Sequence, residues 1–251
     1  MDGNIYIKKL GTVDSTNRYA RDEADTLWSE AGTDSIIAVT AEHQTAGRGQ
    51  RGNSWQSQPG SNLLLTLLIK PGKALEVTRQ FLLSQAVAVA LHSAMQEYGI
   101  ATSLKWPNDI YVEKRKLAGI LVELDYTGRF IEQATIGIGL NVNQTIFPPM
   151  DRIPVSMCTL ASRHFDVEEV LYRVLDKFKA YYSMLIGGNS AQISGEYSRL
   201  LLGAGCEQRF VDADGEFSAV ISGVEPCGRL LLCTAGGDTR RYAFKEVEMV
   251  L

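Results

Sequence analysis

The chain has little from which a membrane, secreted or metal-dependent protein is built. Its most strongly apolar run, residues 63–69, falls far short of the roughly 20 residues that cross a bilayer. The first residues, Met-Asp-Gly-Asn-Ile-Tyr-Ile, read as a strand and carry no charged-then-apolar targeting pattern. Only four cysteines occur (Cys158, Cys206, Cys227, Cys233), with no Cys-x-x-Cys spacing. They are expected to be buried free thiols, not a disulfide framework. Three scattered histidines, His43, His92 and His164, give no zinc spacing. No nucleophile–base pair is readable either. The net charge of −4 argues against a general nucleic-acid binder, whose surface would be basic. A cytoplasmic, soluble protein without nucleic-acid or membrane partners is expected. What remains is ordinary globular composition, 45% hydrophobic and 22% charged over 251 residues, enough for a large core.

Against that background the run Gln44-Thr45-Ala46-Gly47-Arg48-Gly49-Gln50-Arg51-Gly52-Asn53-Ser54-Trp55 stands out. Glycine permits positive φ and close backbone approach, and arginine brings a permanently charged fork suited to phosphate or carboxylate. The segment reads as a loop able to close over an anion, although a solvated connector has the same composition. It contains no Gly-x-x-x-x-Gly-Lys-Ser/Thr. Its nominal Gly-x-Gly-x-x-Gly is followed by more loop and then a strand, not by a helix, so a dinucleotide fold is rejected.

Periodicity and punctuation give the order of elements. A helix is expected over 16–29, with Ser15 or Asp14 as N-cap. Strands follow at 36–40 and 62–69. Residues 74–98 read as a helix that is apolar on most faces and ends at Gly99. Strands are expected at 103–106, 109–112, 117–125 and 131–140, the last two joined by a hairpin at Thr127-Gly128. Prolines 148, 149 and 154 mark a loop. Helices follow over 166–185 and 191–202. After Gly203-Ala204-Gly205 come short β-runs between turns, the texture of a small barrel or sandwich. The fold class is α+β: a mixed, largely antiparallel sheet covered by helices over 1–203, then a β module over 204–251.

Further clusters lie at Asp14-Ser15-Thr16-Asn17, Lys105-Trp106-Pro107-Asn108-Asp109-Ile110-Tyr111-Val112, Lys116-Leu117-Ala118-Gly119-Ile120-Leu121-Val122-Glu123, and Ile136-Gly137-Ile138-Gly139-Leu140-Asn141-Val142-Asn143. With the glycine–arginine loop they resemble the biotin protein ligases (biotin–acetyl-CoA-carboxylase ligases), in that family's order and over almost the whole chain. The resemblance implies the biotin–lipoate ligase catalytic fold, akin to class II aminoacyl-tRNA synthetases, with an SH3-like C-terminal barrel. Members that also repress transcription carry a DNA-binding winged helix ahead of Ser-Thr-Asn. That segment starts here at residue 15, so a short form without the repressor domain is expected.

The same resemblance implies a two-step reaction. Biotin and Mg-ATP give biotinyl-5′-adenylate, and a lysine of a carboxylase's biotin-acceptor domain then takes the biotin. Lys116 is the candidate at the reacting centre, stabilising charge between carboxylate and α-phosphate. Arg48 and Arg51, with Gly49, Gln50 and Lys105, would hold phosphate oxygens. Gln44, Ser15, Thr16, Asn17, Gly119, Ile120, Gly137 and Gly139 would form the biotin site. Asn108 and Asp109 fall on the nucleotide side, Asp109 as the magnesium carboxylate, and Asn141 and Asn143 are adenylate contacts. Glycine in strands also marks bulges, Ser15 is also a plain cap, and Trp55 and Trp106 suit structure as well as ligand. The family loop has arginine where this chain has Gln50, which lowers the charge available to retain the adenylate. Residues 44–58 are expected to be mobile without ligand. Relatives dimerise through a sheet edge, and residues 131–140 are the candidate edge for a homodimer. Two alternatives stay open: a lipoate ligase or octanoyltransferase with an apolar tunnel, and a non-catalytic binding protein of the same fold.

Overall fold

In the computed structural model, which describes residues 4–149 and 152–251, one helix-covered sheet is followed by a smaller one. The large sheet contains β1 (Ile5–Val13), β2 (Ile36–Gln44), β3 (Leu63–Ile69), β4 (Gly72–Glu76), β5 (Ser103–Lys105), β6 (Asp109–Val112), β7 (Arg115–Thr127) and β8 (Phe130–Leu140). Its order is β1-β2-β3-β8-β7-β6-β5, with β4 also paired to β8. Only β1 and β2 are parallel among these pairs; the rest are antiparallel. The run 131–140 is therefore no edge. β8 lies between β3 and β7, and its ladder groups are already paired on both sides.

The central strands are covered on both faces, which is why β3 reads Leu-Leu-Leu-Thr-Leu-Leu-Ile without alternation. On one face Leu65, Leu67, Ile136 and Ile138 pack against α3 (Phe81–Glu97) and α5 (Val167–Ile186). Truncating such a core leucine to alanine costs about 2–5 kcal/mol. On the other face Ile37, Val39 and Leu68 meet α1 (Thr16–Asp22) and α2 (Ala24–Ala31). A short α4 (Met157–Ala161), not anticipated from sequence, precedes α5, whose cap is Asp166: its carboxylate accepts from the Glu168 N–H at 2.8 Å. Helix α6 (Ser190–Leu200) leads to the second sheet.

Two helical expectations are corrected. The helix over 16–29 is broken at Glu23 into α1 and α2, and no proline or glycine marks the break. The helix over 74–98 begins only at Phe81. Its first residues extend β4 instead, where Gly72 and Glu76 pair with Ile131 and Phe130, and a 3₁₀ turn follows at Val77–Arg79. Leu75 is buried either way, so local pattern alone did not separate the two.

The second sheet comprises β9 (Glu207–Asp212), β10 (Gly215–Val224), β11 (Leu230–Thr234), β12 (Thr239–Tyr242) and β13 (Glu248–Met249), all antiparallel, in the order β12-β11-β10-β9-β13. It has its own small core around Phe210, Leu232 and Tyr242. All four cysteines are free. Cys158 is buried as expected, but Cys206 and Cys227 are exposed, because both fall in turns, and Cys233 is half-buried.

Candidate active site

Strand register sets out one end of the site. Lys105 pairs with Asp109, Asp109 with Gly119, and Gly119 with Gly139. Directly paired residues share a sheet face, so two charged side chains and two bare backbones form one row across β5, β6, β7 and β8. Lys116 joins them through a bulge. Between the pairs Ile110–Ala118 and Tyr111–Lys116 the register slips, which changes the side-chain alternation. As a result the Lys116 ammonium reaches the Asp109 carboxylate at 2.7 Å.

The polar end lies where α1 meets β2 and β3. Ser15 holds the N-cap position but makes no side-chain cap bond. The free N–H of Thr16 donates to Gln44 Oε1 at 2.7 Å, and the Thr16 hydroxyl approaches the same oxygen at 3.0 Å. Thr66, fully buried among leucines, has its hydroxyl 2.8 Å from Thr16 Oγ1 and 2.7 Å from Asn17 Oδ1. Asn17 Nδ2 donates to Glu123 Oε2 at 2.9 Å. An added Cβ at Gly137 would sit 2.4 Å from Asn17 Oδ1, so the side chain needs glycine beneath it.

The glycine–arginine loop lies over these two ends. The Trp55 N–H donates to the Gly47 carbonyl and the Gly49 N–H to the Asn53 carbonyl, while Gly52 takes φ +88°. Trp55 rests on the Gly139 backbone, where a Cβ would meet Cε2 of the indole at 2.3 Å. Its Nε1 is buried without a hydrogen-bond partner, as is Gln50 Oε1. Arg48 points to Glu123, with Nη2 to Oε1 at 3.2 Å. The backbone of Arg51 continues the loop, but its side chain lies outside the described residues.

These parts enclose a cavity of about 470 Å³, within the range that takes drug-sized ligands. Apart from Arg51, every site residue anticipated from sequence lines it except two. Asn141 Nδ2 donates to the Val155 carbonyl at 3.1 Å. Asn143 both donates to the Phe165 carbonyl and accepts from the Phe165 N–H. Both amides hold the loop that follows β8, Asn141 through Nδ2 and Asn143 through both of its polar side-chain atoms, and neither lines the cavity. Trp106 reaches across to the second sheet, donating from Nε1 to the Gly228 carbonyl at 3.0 Å and packing 5.6 Å from Phe244 between ring centroids. Asn108 is likewise tied, with Nδ2 to the Ile120 carbonyl at 2.6 Å.

Sequence reasoning missed Thr66, Glu123, Arg152 and Lys245. A lone hydroxyl inside an all-leucine strand was a readable signal for Thr66. Arg152 and Lys245 line the cavity from a loop and from the second sheet, and no local pattern announces them. Burial, with the positive charge of Arg152 alongside, lowers the Lys105 ammonium pKa below the usual lysine range. Burial, helped by Asp109, pushes the Tyr111 phenol up to about 12. Among the described residues no cluster of three His, Cys, Asp or Glu side chains could hold a metal ion.

Comparison with known proteins agrees with this arrangement. The profile of the biotin/lipoate A/B protein ligase family matches residues 11–141. The chain belongs to that family. It is 30% identical over 236 residues to the biotin–[acetyl-CoA-carboxylase] ligase of Paracoccus denitrificans, covering 89% of this chain and 92% of that protein. To the bifunctional ligase/repressor BirA of Bacillus subtilis it is 33% identical over 208 residues, covering 82% of this chain and 64% of the relative. The chain thus spans under two thirds of the length of that larger relative. Among solved structures, the biotin protein ligase of Aquifex aeolicus in complex with biotin and ATP superposes with a TM-score of 0.79, at 26% identity and with 98% of each chain covered. Both sheets of this biotin/lipoate ligase fold are included in that superposition. No helix among the described residues is long and apolar enough to cross a membrane.

Proposed function

We propose that this protein attaches biotin to a lysine of a carboxylase's biotin-acceptor domain, through biotinyl-5′-adenylate formed from biotin and ATP. One observation carries the reading: a single cavity joins a hydrogen-bonding wall at Thr16, Asn17 and Gln44 to a basic end at Lys116 and Arg48. The wall suits a polar head group. A long aliphatic acyl chain would need an apolar tunnel there, which disfavours the lipoate branch. The relatives' names supply biotin, ATP and the carboxylase acceptor.

In the first step a carboxylate oxygen attacks the α-phosphorus and the bond to the β-phosphate breaks, releasing pyrophosphate. Two anions meet, so fixed positive charge is needed in place beforehand. Lys116 supplies it at the reacting oxygens, and Arg48 with the loop backbone supplies it on the phosphate side. Arg48 must turn from Glu123 toward the nucleotide to do so, a modest cost for a half-exposed ion pair. In the second step the acceptor amine attacks the acyl carbon, AMP leaves and the amine loses a proton. The Trp55 loop excludes water that would hydrolyse the anhydride. Ser15, Gly119, Ile120, Gly137 and Gly139 line the biotin half; Gly49, Gln50, Lys105, Asn108 and Asp109 line the nucleotide half.

Magnesium enters this scheme as part of the nucleotide. Asp109 is the one carboxylate among the anticipated site residues, and one carboxylate plus phosphate oxygens is a usual magnesium environment. We divide the chain into a catalytic unit, 1–203, and a β module, 204–251. Only the ligase half of the Bacillus relative's name is carried over, since a net charge of −4 does not favour a general nucleic-acid binder. A homodimer, if formed through the sheet, would use the outer strands β1 or β5.

Biotin-dependent ATP–pyrophosphate exchange tests the proposal, with octanoate and lipoate as parallel substrates. Exchange with biotin alone is expected. Exchange driven by the fatty acids would move the protein to the lipoate branch, and binding without exchange would make it a non-catalytic relative.

A further inference from the structure

Glu123 holds one residue from each half of the site without lining the cavity itself; Asn17 and Arg48, which it holds, both do. It follows Gly119 and Leu121 along one face of β7, since alternate residues of a strand share a face, and its register partner on β8 is Thr135. Its two oxygens have different partners. Oε2 accepts from Asn17 Nδ2 at 2.9 Å. Oε1 lies 3.2 Å from Arg48 Nη2 and 3.4 Å from Arg21 Nη1, and Arg21 reaches on to Asp125.

The first contact sets the orientation of an amide. A carboxylate only accepts hydrogen bonds, so Asn17 turns Nδ2 to Glu123 and Oδ1 to Thr66 and the bare Gly137. Asn17 is buried, and without Glu123 its Nδ2 would lose an acceptor where water does not replace one. The second contact keeps a cation of the glycine–arginine loop on a carboxylate and off the nucleotide. The Glu123 side chain is 16% exposed, against 50% for Arg48 and 41% for Arg21. The carboxylate is therefore the fixed member, and Arg48 is the one able to swing away. Arg21 shares the same oxygen, so Glu123 keeps a counter-ion when Arg48 departs.

We propose that Glu123 is a positioning residue with two opposed effects: it fixes the Asn17 amide for the biotin head group, and it restrains Arg48 from the phosphates, with Arg21 as the counter-ion that lets Arg48 go. This rests on the adenylate-forming reaction proposed above. An arriving triphosphate competes with Glu123 for one guanidinium. Biotin binding gains from Glu123, and nucleotide binding is opposed by it.

Three substitutions in the full chain separate these effects. Glu123→Gln keeps an acceptor for Asn17 and removes the charge that holds Arg48. In ATP–pyrophosphate exchange its KM for ATP should fall about two- to fivefold, the range of a half-exposed ion pair. Its biotin affinity, titrated without ATP, should stay within about twofold of the parent. Glu123→Ala removes both contacts, and biotin affinity should fall about tenfold or more, the effect of a buried donor left without a partner. Arg21→Ala leaves Arg48 alone on its oxygen of Glu123 and should raise the KM for ATP about two- to fivefold. Both shifts in KM should vanish in an Arg48→Ala background, because residues that act through one contact are not additive. Shifts that persist there would trace the effect to net charge and overturn the proposal. A raised or unchanged KM in Glu123→Gln, or unchanged biotin affinity in Glu123→Ala, would overturn it too. So would biotin and ATP affinity lost together in Glu123→Gln, the mark of a purely structural role. If Glu123→Ala does not fold, Glu123→Gln and Arg21→Ala decide by the same criteria. If the parent protein itself shows no biotin-dependent exchange, the adenylation reading fails instead. Equilibrium titration of ATP into the parent and Glu123→Gln, each with and without Arg48→Ala, then decides the restraint on Arg48: tighter binding that needs Arg48 supports it, and equal binding overturns it.

Discussion

The Trp55 indole lies on the bare backbone of Gly139, in a position that no side chain on Gly139 would allow. The loop and the central strand are thus mutually dependent. Gly139→Ala puts a methyl group 2.3 Å from Cε2 of the ring and displaces it. The expected outcome is faster protease cutting within 44–58, together with at least a tenfold rise in KM for ATP. In a Trp55→Ala background the second substitution should add little, because residues that act through one contact are not additive. Cutting that is unchanged by Gly139→Ala would show that the ring is not anchored there.

Saturating biotin and ATP should protect the same segment in the parent protein, since an ordered loop is needed to exclude water. Proteolysis at 44–58 that persists with both ligands present would contradict closure over the substrates.

Lys116 answers to two partners: Asp109 in the structure, and the reacting oxygens in the proposed reaction. Lys116→Ala should lower the exchange rate by about 10²–10³, the cost of one preorganised donor. Biotin binding should be retained, because the polar wall at Thr16, Asn17 and Gln44 is intact. Lys116→Arg should rescue poorly: a planar fork does not replace a compact ammonium in the space beside Gly119. A loss of biotin affinity as large as the loss of rate would assign Lys116 to binding instead.

Gln50 Oε1 is buried without a partner at the edge of the cavity. Gln50→Arg replaces a neutral amide with a cation facing the phosphate side. Release of adenylate, read by rapid filtration or by biotinylation of bystander lysines, should slow about tenfold or more. Unchanged release would mean that the position does not reach the adenylate phosphate.

His92, buried in α3, has Nδ1 2.8 Å from the Thr102 hydroxyl, and burial lowers its pKa below the ordinary 6.5. The folded state therefore favours the neutral ring, while the unfolded chain takes up a proton near pH 6.5. Its contribution is fully present above that pH and is lost as pH falls through the lower folded value. Thermal melts should show Tm falling with pH below 6.5 more steeply in the parent than in His92→Gln. Parallel slopes would remove His92 from the acid response.

Much of the site was readable because its groups are local. The Ser15-Thr16-Asn17 step onto α1, the Gly47–Gly52 loop and the Lys105–Asp109 and Lys116–Gly119 pairs are short runs whose residue types carry their chemistry. The strands were readable for the same reason, since hydrophobic period and turn residues act over a few positions. Residues 74–76 were misread because a buried Leu75 satisfies a helix and a strand equally, and pairing of β4 with β8 decided between them.

The sequence by itself determined the α+β order of elements, the family and the cationic loop, all of which depend on near neighbours along the chain. Only the tertiary structure decided that β8 is central and not an edge, that a bulge turns Lys116 toward Asp109, and that Asn141 and Asn143 bond the loop after β8 and lie outside the cavity lining. It alone brought Lys245 of the second sheet to a cavity it shares with Lys105. The reason is physical: register, burial and charge proximity are set by contacts between residues far apart in sequence, and no local pattern encodes which of those contacts forms.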